Sequence, residues 1–258
     1  NNTSHVFGKP GACQLATAVV QAALDKGEIV VCMDAVNAYN TVSRHHTFAY
    51  IAHYRTPFTP CLRLLNAFYC SPTTARWFHN TLPVLSIEIT SGTLQGCVSS
   101  LWFYTLATTR ANMGFSRQLV QAADDIYIVR DALRIVDSVV VTYREGPAQE
   151  VNGPKTTILC SEQKRRSLEE MKRTQDFPAS LQHATITTTP TKVLGAIVQP
   201  DRTSSIDPST SAAVQSVLLK LQVKYDKLLS LPCSVQEKWL ILSNITMHAL
   251  YYVESSSI

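Results

Sequence analysis

Two adjacent carboxylates, Asp124 and Asp125, stand between two short apolar runs: Leu119-Val-Gln-Ala-Ala before them and Ile126-Tyr-Ile-Val after them. Apolar runs of this length read as buried strands. A tight turn joining them holds both acids at its tip, against the edge of the core. Like charges at the edge of low dielectric repel each other and are poorly solvated, and a divalent cation removes both problems. The alternative is a surface hairpin whose turn is Asp-Asp, because aspartate suits turns. A third carboxylate upstream strengthens the metal reading: Glu28-Ile-Val-Val-Cys-Met-Asp34 is a short apolar strand that ends on an acid. Two strands delivering carboxylates to one sheet edge make an oxygen-rich site, which hard ions such as Mg²⁺ prefer and share with substrate phosphates. Two such ions about 3.5–4 Å apart serve in-line phosphoryl transfer. The histidines show no ligand spacing, and His45-His46 reads as a solvated helix start.

The elements that must carry these acids follow from periodicity. Residues 16–24 predict a helix with Leu15, Val19, Val20, Ala23 and Leu24 at helical spacing, ended by Gly27. A strand over 28–34 follows. Ser43 caps a predicted helix over 45–54, and Pro60 opens another with Leu62, Leu65 and Phe68 as its buried stripe. Residues 77–89 suggest a hairpin turning at Leu82-Pro83. Residues 99–111 form a helix with Leu101, Tyr104 and Leu106 as core candidates; the acid-bearing hairpin covers 119–129 and a helix covers 132–143. The most charged stretch, 161–176, reads as a solvated helix or loop with internal ion pairs, with a nucleic-acid contact as the less favoured reading. After Pro200 the composition turns to Ser, Thr, Asp and Pro, as in a linker. Two amphipathic helices then follow. Asp207-Pro208 starts the first, and the capping box Ser234-Val-Gln-Glu237 starts the second.

Composition bounds the class. The 258 residues are 45% hydrophobic and 16% charged, which is globular rather than disordered, with room for one or two cores. A net charge of +4 is mildly basic and says nothing about how charge is distributed. Seven scattered cysteines without a C-x-x-C favour reduced thiols over a disulfide framework or zinc knuckle. The longest apolar runs fall far short of a membrane span. The expected setting is therefore intracellular: nucleus, cytoplasm or mitochondrial matrix.

The motifs, taken in order, resemble those of reverse transcriptases of the non-LTR retrotransposon type. Asp34-x-x-Asn37-Ala38-Tyr39-Asn40-Thr41-Val42-x-Arg44 resembles motif A, and Ser91-Gly92-Thr93-Leu94-Gln95-Gly96-Cys97-Val98-Ser99-Ser100 resembles motif B. Ala123-Asp124-Asp125 resembles motif C, Asn152-Gly153-Pro154-Lys155-Thr156 motif D, and Lys192-Val193-Leu194-Gly195-Ala196 motif E. Gly8-Lys-Pro-Gly-Ala12 and Tyr69-Cys-Ser-Pro-Thr73 are weaker matches, so the likeness covers nearly the whole chain. Each motif alone is weak; five in the family's order with all three acids are specific.

The resemblance implies an α+β polymerase right-hand fold: an antiparallel palm sheet packed on helices, partial fingers and a helical thumb. Its domains would be a remnant of fingers at 1–27, a palm at 28–200 with a fingers-like insertion around 55–95, and a thumb at 207–258. The chain begins at Asn1, close to the first motif, and is read as a fragment lacking the basic fingers segment that grips the triphosphate. The implied activity is RNA-directed DNA polymerization on an RNA template from a DNA or RNA primer with dNTPs, within a larger ribonucleoprotein and with no membrane partner. Asp34, Asp124 and Asp125 would ligate two Mg²⁺ ions, with Mn²⁺ as a substitute, joined by the carbonyl of Ala35. Tyr39 would be the steric gate against a 2′-hydroxyl; Gln95 and Gly96 would lie beside the template base and incoming nucleotide. Lys155 would protonate or hold pyrophosphate, Arg44 would pair with a phosphate or a motif A carboxylate, and Leu194-Gly195 would belong to a primer grip. Asn37 would fix the motif A turn.

Three departures stand beside the likeness. The aromatic expected before Ala-Asp-Asp is Ala122, the acid often found after Gln-Gly is Cys97 with no proline near Ser99-Ser100, and the basic fingers segment is missing. They support a rival reading: a domesticated, catalytically inactive reverse-transcriptase-like domain serving as a structural or RNA-binding part of a ribonucleoprotein. Retention of three costly acids argues the other way. A third reading, an RNA-directed RNA polymerase, is disfavoured by Tyr39, where such enzymes carry a polar residue.

Overall fold

The structure, a computed structural model, describes residues 12–54, 59–79, 82–93, 100–174 and 176–201, with isolated positions 219, 222, 223, 226, 227, 230 and 234. The helices expected after 207 therefore lie outside the described residues except at those positions.

The elements run α1 (Ala12–Asp25), β1 (Val30–Met33), α2 (Ala38–Thr41), α3 (Arg44–Tyr54), α4 (Leu62–Tyr69), β2 (Thr73–His79), β3 (Leu82–Ile89), α5 (Ser100–Met113), β4 (Leu119–Ala122), β5 (Asp125–Ile128), α6 (Ala132–Glu145), β6 (Thr157–Leu159), α7 (Glu162–Arg173), β7 (Thr185–Thr187), β8 (Thr191–Val193) and β9 (Ala196–Val198). The class is mixed α+β. Five strands form one sheet in the order β4-β5-β1-β6-β7, antiparallel except for the β6–β7 edge.

β1 lies at the centre of this sheet, and its sequence explains why. Val30-Val-Cys-Met is apolar on both sides, as a strand covered on both faces must be. Val30 packs with Ala16, Val20, Ala23 and Leu24 of α1 and with Val193 and Val198 of the β8–β9 hairpin. Val31 and Met33 face the opposite layer, where Val136, Val139 and Tyr143 of α6 meet Leu168 of α7. Residues 12–25, grouped by sequence with a fingers remnant, thus form a helix laid on the sheet itself. A third cluster joins Ala38, Val42, Ile51, Leu65, Tyr69, Phe103 and Tyr104, tying α2, α3, α4 and α5 into a helical wall beside the end of β1.

Several sequence expectations shift on contact with tertiary structure. Ser43 does cap α3, its Oγ accepting from the His46 amide at 3.1 Å. On α4 the buried pair is Leu65 and Tyr69, while Phe68 is 61% exposed; the helix turns its i, i+4 pair inward. On α1, Leu15 faces solvent. On α5, Phe103 is fully buried and Leu101 only half-buried. The β2–β3 hairpin begins earlier than expected. Leu82 and Pro83 lie within β3, and the register shifts at Trp77 and Phe78, where Pro83 pairs with Phe78. A bulge is where a strand tolerates a residue without an N–H. The hairpin leaves Phe78, Val84, Leu85 and Ile87 exposed. The charged stretch is α7, with Arg165 paired to Glu162 and Glu169. Lys164 bonds the Gly27 carbonyl, and Lys172 reaches the Ala184 carbonyl at 2.9 Å, so two of its basic residues tie the helix to the rest of the fold. Among the described residues no helix is long and apolar enough to cross a membrane, and the described cysteines Cys13, Cys32, Cys61, Cys70 and Cys160 are free.

Gly92 locks the helical wall to the segment after β1. It has φ +69°, and a Cβ there would overlap the Asn40 backbone. Gly27 has φ +70° with open space around it. Gly92→Ala is therefore expected to lose at least ~2 kcal/mol of stability, against ~1 for Gly27→Ala, which meets only the left-handed penalty. Urea denaturation of both variants checks this, and equal losses would remove the close-approach account.

Candidate active site

The sheet register brings the acids together. Met33 pairs with Ile126 and Cys32 with Tyr127 across β1 and β5. One step further along the same register sets Asp34 opposite Asp125. Strand alternation puts both on the face that carries Cys32 and Tyr127. Asp124 adjoins at the tip of the β4–β5 hairpin, whose last pair is Ala122 with Asp125. The hairpin turns through Ala123 and Asp124, and Ala123 has φ +57°, a left-handed conformation that L-residues pay to adopt.

Electrostatics report the same neighbourhood. The Asp125 carboxyl is pushed up from 3.8 to about 6, first by burial and then by Asp124 and Asp34, while a hydrogen bond from Tyr127 works against the rise. Burial, then Asp124 and Asp125, pushes the Tyr39 phenol up to about 12. Cys32 rises to about 12 through burial and Asp125. Burial, helped by Asp124, Tyr39, Asp34 and Asp125, raises Tyr104 as well. Three carboxylates thus act on one patch lined by phenols, which stay protonated and uncharged near neutral pH.

The Tyr39 ring packs on Tyr104 of α5, centroids 5.1 Å apart and tilted by 42°. The Tyr104 side chain is buried and its hydroxyl has no hydrogen-bond partner among the described residues. Asn37, at φ 49°, turns the chain after Ala35, and its carbonyl accepts from Asn40 and Thr41. Residues 91–93 are laid against this turn: the Thr93 amide donates to the Tyr39 carbonyl at 2.6 Å, the Gly92 amide to Val42 at 2.9 Å, and the Ser91 hydroxyl to Asn40 at 3.2 Å. Gln95 and Gly96 lie outside the described residues.

Lys155 stands beside Asp34, its Nζ 3.2 Å from Oδ2. Backbone bonds put it there. The Val36 amide donates to the Glu150 carbonyl, Ala35 bridges Val151, and the Asn152 amide donates to the Asp34 carbonyl. The turn Gly153–Lys155 follows directly. Ala35 itself is buried.

Arg44 is not open to a phosphate. It is buried, with Nε on the Gly92 carbonyl at 2.7 Å, Nη1 on Ser71 at 3.3 Å and Tyr69 at 3.5 Å, and the guanidinium 5.4 Å from the Tyr69 ring centroid. A buried cation needs carbonyls or an aromatic face when no carboxylate is at hand. It fastens α3 to the end of α4 and to residue 92. Leu194 and Gly195 form the two-residue turn of the β8–β9 hairpin, with φ 48° and 93°, the pattern of a type I′ turn.

The donor set suits a hard cation in its chemistry: three carboxylates whose mutual repulsion a positive charge would relieve, with an ammonium already drawn to one of them. The side chains are not closed around a common point. Among the described residues no group of three or more His, Cys, Asp or Glu could hold a metal ion as arranged.

Fold and site together define a mixed α+β domain with an acidic patch at the end of a mostly antiparallel sheet. No family model matches the chain, and no curated protein matches it. Among solved structures it is similar to an apo telomerase from Candida tropicalis truncated from its C-terminal domain, 13% identical, with a TM-score of 0.46 over 62% of this chain and 36% of that one. It is also similar to a telomerase from Candida albicans in complex with a fragment of telomeric RNA, 13% identical, with a TM-score of 0.41 over 93% of this chain and 42% of that one. The chain thus spans less than half the length of either. At this identity and these scores the likenesses assign no activity to it.

Asp125 has a consequence for stability. A carboxyl whose pKa is higher folded than unfolded holds its proton more tightly when folded, so stability falls as pH rises from below 3.8 to above about 6. Asp125→Asn should flatten that fall and stabilise the metal-free chain at pH 7.5 by up to ~2 kcal/mol, discounted for partial exposure. Thermal melts of both proteins between pH 4 and 8 check this; parallel curves would show that the carboxyl is not strained.

Proposed function

We propose that this chain is the core of an RNA-directed DNA polymerase, adding deoxynucleotides to a primer 3′-hydroxyl. The observation that carries the reading is that Asp34, next to the Met33–Ile126 pair of β1 and β5, and Asp124 both act on Asp125, with Tyr39 against the same patch.

In this reading Asp34 and Asp124 would hold two Mg²⁺ ions, or Mn²⁺ in their place, with Asp125 as a weaker ligand and the Ala35 carbonyl as a further one. Bound there, the ions supply a lowered pKa at the primer hydroxyl and charge neutralisation on the triphosphate. Lys155, paired with one oxygen of Asp34, has a mostly exposed side chain that is free to follow the phosphates. The primer oxygen bonds to the α-phosphorus, the α–β anhydride bond breaks, and pyrophosphate leaves. Lys155 holds that leaving group by charge and can give it a proton from Nζ. Tyr39 sets sugar selection: seated on Tyr104, its ring cannot move down, so a 2′-hydroxyl above it meets a fixed surface. The retrotransposon subtype, the Gln95-Gly96 contact, the primer-grip role of Leu194-Gly195, the thumb and a nuclear setting belong to this proposal through the motif resemblance alone.

A second reading has a specific observation behind it. Asp34 is already engaged by Lys155, and the acids are not gathered as a ligand set. An inactive fold that serves as a structural or RNA-binding part of a ribonucleoprotein would look the same.

Primer extension separates them: oligo(dT) on poly(rA), with dTTP or UTP, in Mg²⁺ and then Mn²⁺. The expected result is extension with dTTP that falls at least ~10³-fold in Asp124→Asn, and UTP incorporation that rises at least ~tenfold in Tyr39→Ala. No extension by the full chain, together with no Mn²⁺ binding by calorimetry, would favour the inactive reading.

A further inference from the structure

The acid-bearing hairpin rests on a buried polar chain that the proposed chemistry does not use directly. Gln121 in β4 is 1% exposed and Asn112 in α5 is 0% exposed. The Gln121 Nε2 donates to the Ala123 carbonyl at 2.8 Å. Behind it, Asn112 Nδ2 donates to Gln121 Oε1 at 2.5 Å. The Tyr143 hydroxyl of α6 donates to Asn112 Oδ1 and lies 3.2 Å from Gln121 Oε1. Full burial keeps that phenol protonated, and so a donor.

Each feature is costly unless it has a task. Three polar side chains buried in an apolar layer forfeit their water. Ala123 spends backbone energy in the left-handed region, and only a surrounding structure that over-determines it keeps such a residue there. The single side-chain bond that reaches the Ala123 carbonyl comes from Gln121 among the described residues. The carbonyl belongs to the peptide that leads into Asp124, so its orientation sets where both carboxylates point.

We propose that Gln121, backed by Asn112 and Tyr143, is a positioning device: it pins the Ala123 peptide in its left-handed turn and thereby aims Asp124 and Asp125. This rests on the reading of those acids as metal ligands. It explains why a glutamine interrupts an otherwise apolar strand. It also explains how the hairpin keeps its geometry with Ala122, a small residue, in place of a bulky anchor. Gln121 touches neither substrate nor ion; it acts through the peptide next to the ligands.

The test uses the full chain and reads Mn²⁺ affinity by calorimetry alongside primer extension. Gln121→Leu keeps the volume and removes the hook. Tyr143→Phe removes only one hydroxyl, a milder change in case the first variant folds poorly. Mn²⁺ binding is expected to weaken about tenfold or more in Gln121→Leu and less in Tyr143→Phe, with kcat falling and the dTTP KM within about twofold. The decisive variant is Gln121→Leu combined with Ala123→Gly. Glycine holds the left-handed turn without help, so the double variant should regain most of the Mn²⁺ affinity, a coupling that a purely packing role would not produce. Gln121→Leu with lowered Tm but unchanged Mn²⁺ affinity and kcat would overturn the inference while leaving the polymerase reading intact. So would a double variant as weak as the single. A wild-type chain that binds no Mn²⁺ and extends no primer would remove the polymerase reading, and this inference with it.

Discussion

Negative charge held against a dry sheet is the constraint around which the molecule is arranged. Asp34, Asp124 and Asp125 lie where β1 and the β4–β5 hairpin end, and Asp124 and Asp34 raise the cost of ionising Asp125. Like charges so placed push one another apart unless their backbone is held. Rigidity comes from below, where β1 is sandwiched between α1 with the β8–β9 hairpin and the α6–α7 layer. It comes from the side, where Arg44 and Gly92 clamp the helical wall. The ammonium of Lys155 supplies part of the missing positive charge.

Two kinds of bond divide the labour. Strand pairing delivers the carboxylates to one edge but leaves their directions loose, because end residues have neighbours on one side only. Loop-to-loop backbone bonds do the finer work. The 150–152 segment is stitched to 34–36, and 91–93 to 39–42. Segments far apart in the chain thus share one rigid corner, and Tyr39 and Lys155 flank the acids without either belonging to the sheet.

Much of this was legible beforehand, for physical reasons. Val30-Val-Cys-Met and the runs around Asp124-Asp125 are too apolar to be anything but buried, and a strand that ends on an acid must present it at the sheet's edge. The Ser43 cap and the helices near 45–54, 99–111 and 132–143 came from local rules that hold whatever the fold. What could not be read is what depends on rotation and on partners. Periodicity marks α4 as amphipathic but does not say that Tyr69 rather than Phe68 turns inward. Arg44 read as a partner for a phosphate or a motif A carboxylate because nothing local shows the three carbonyls waiting for it. Tyr104 is one aromatic among several on its helix until the fold sets it under Tyr39. Gln121 did leave a trace, a lone amide in an apolar run, but its partners come from two other elements. The Gln95-Gly96 segment and the helices after 207 lie outside the described residues.

The placement of β1 has a consequence for how the protein is made. Its neighbours in the sheet are β5 and β6, which leave the ribosome only after residues 128 and 159. Until then an apolar strand with an acid at its end has no edge to pair with, and closing so long a loop is slow. Until residue 128 is made, α1 is the neighbour of Val30–Met33 that already exists to cover it. The corner that gathers the acids can therefore form only once the chain has been made through residue 128.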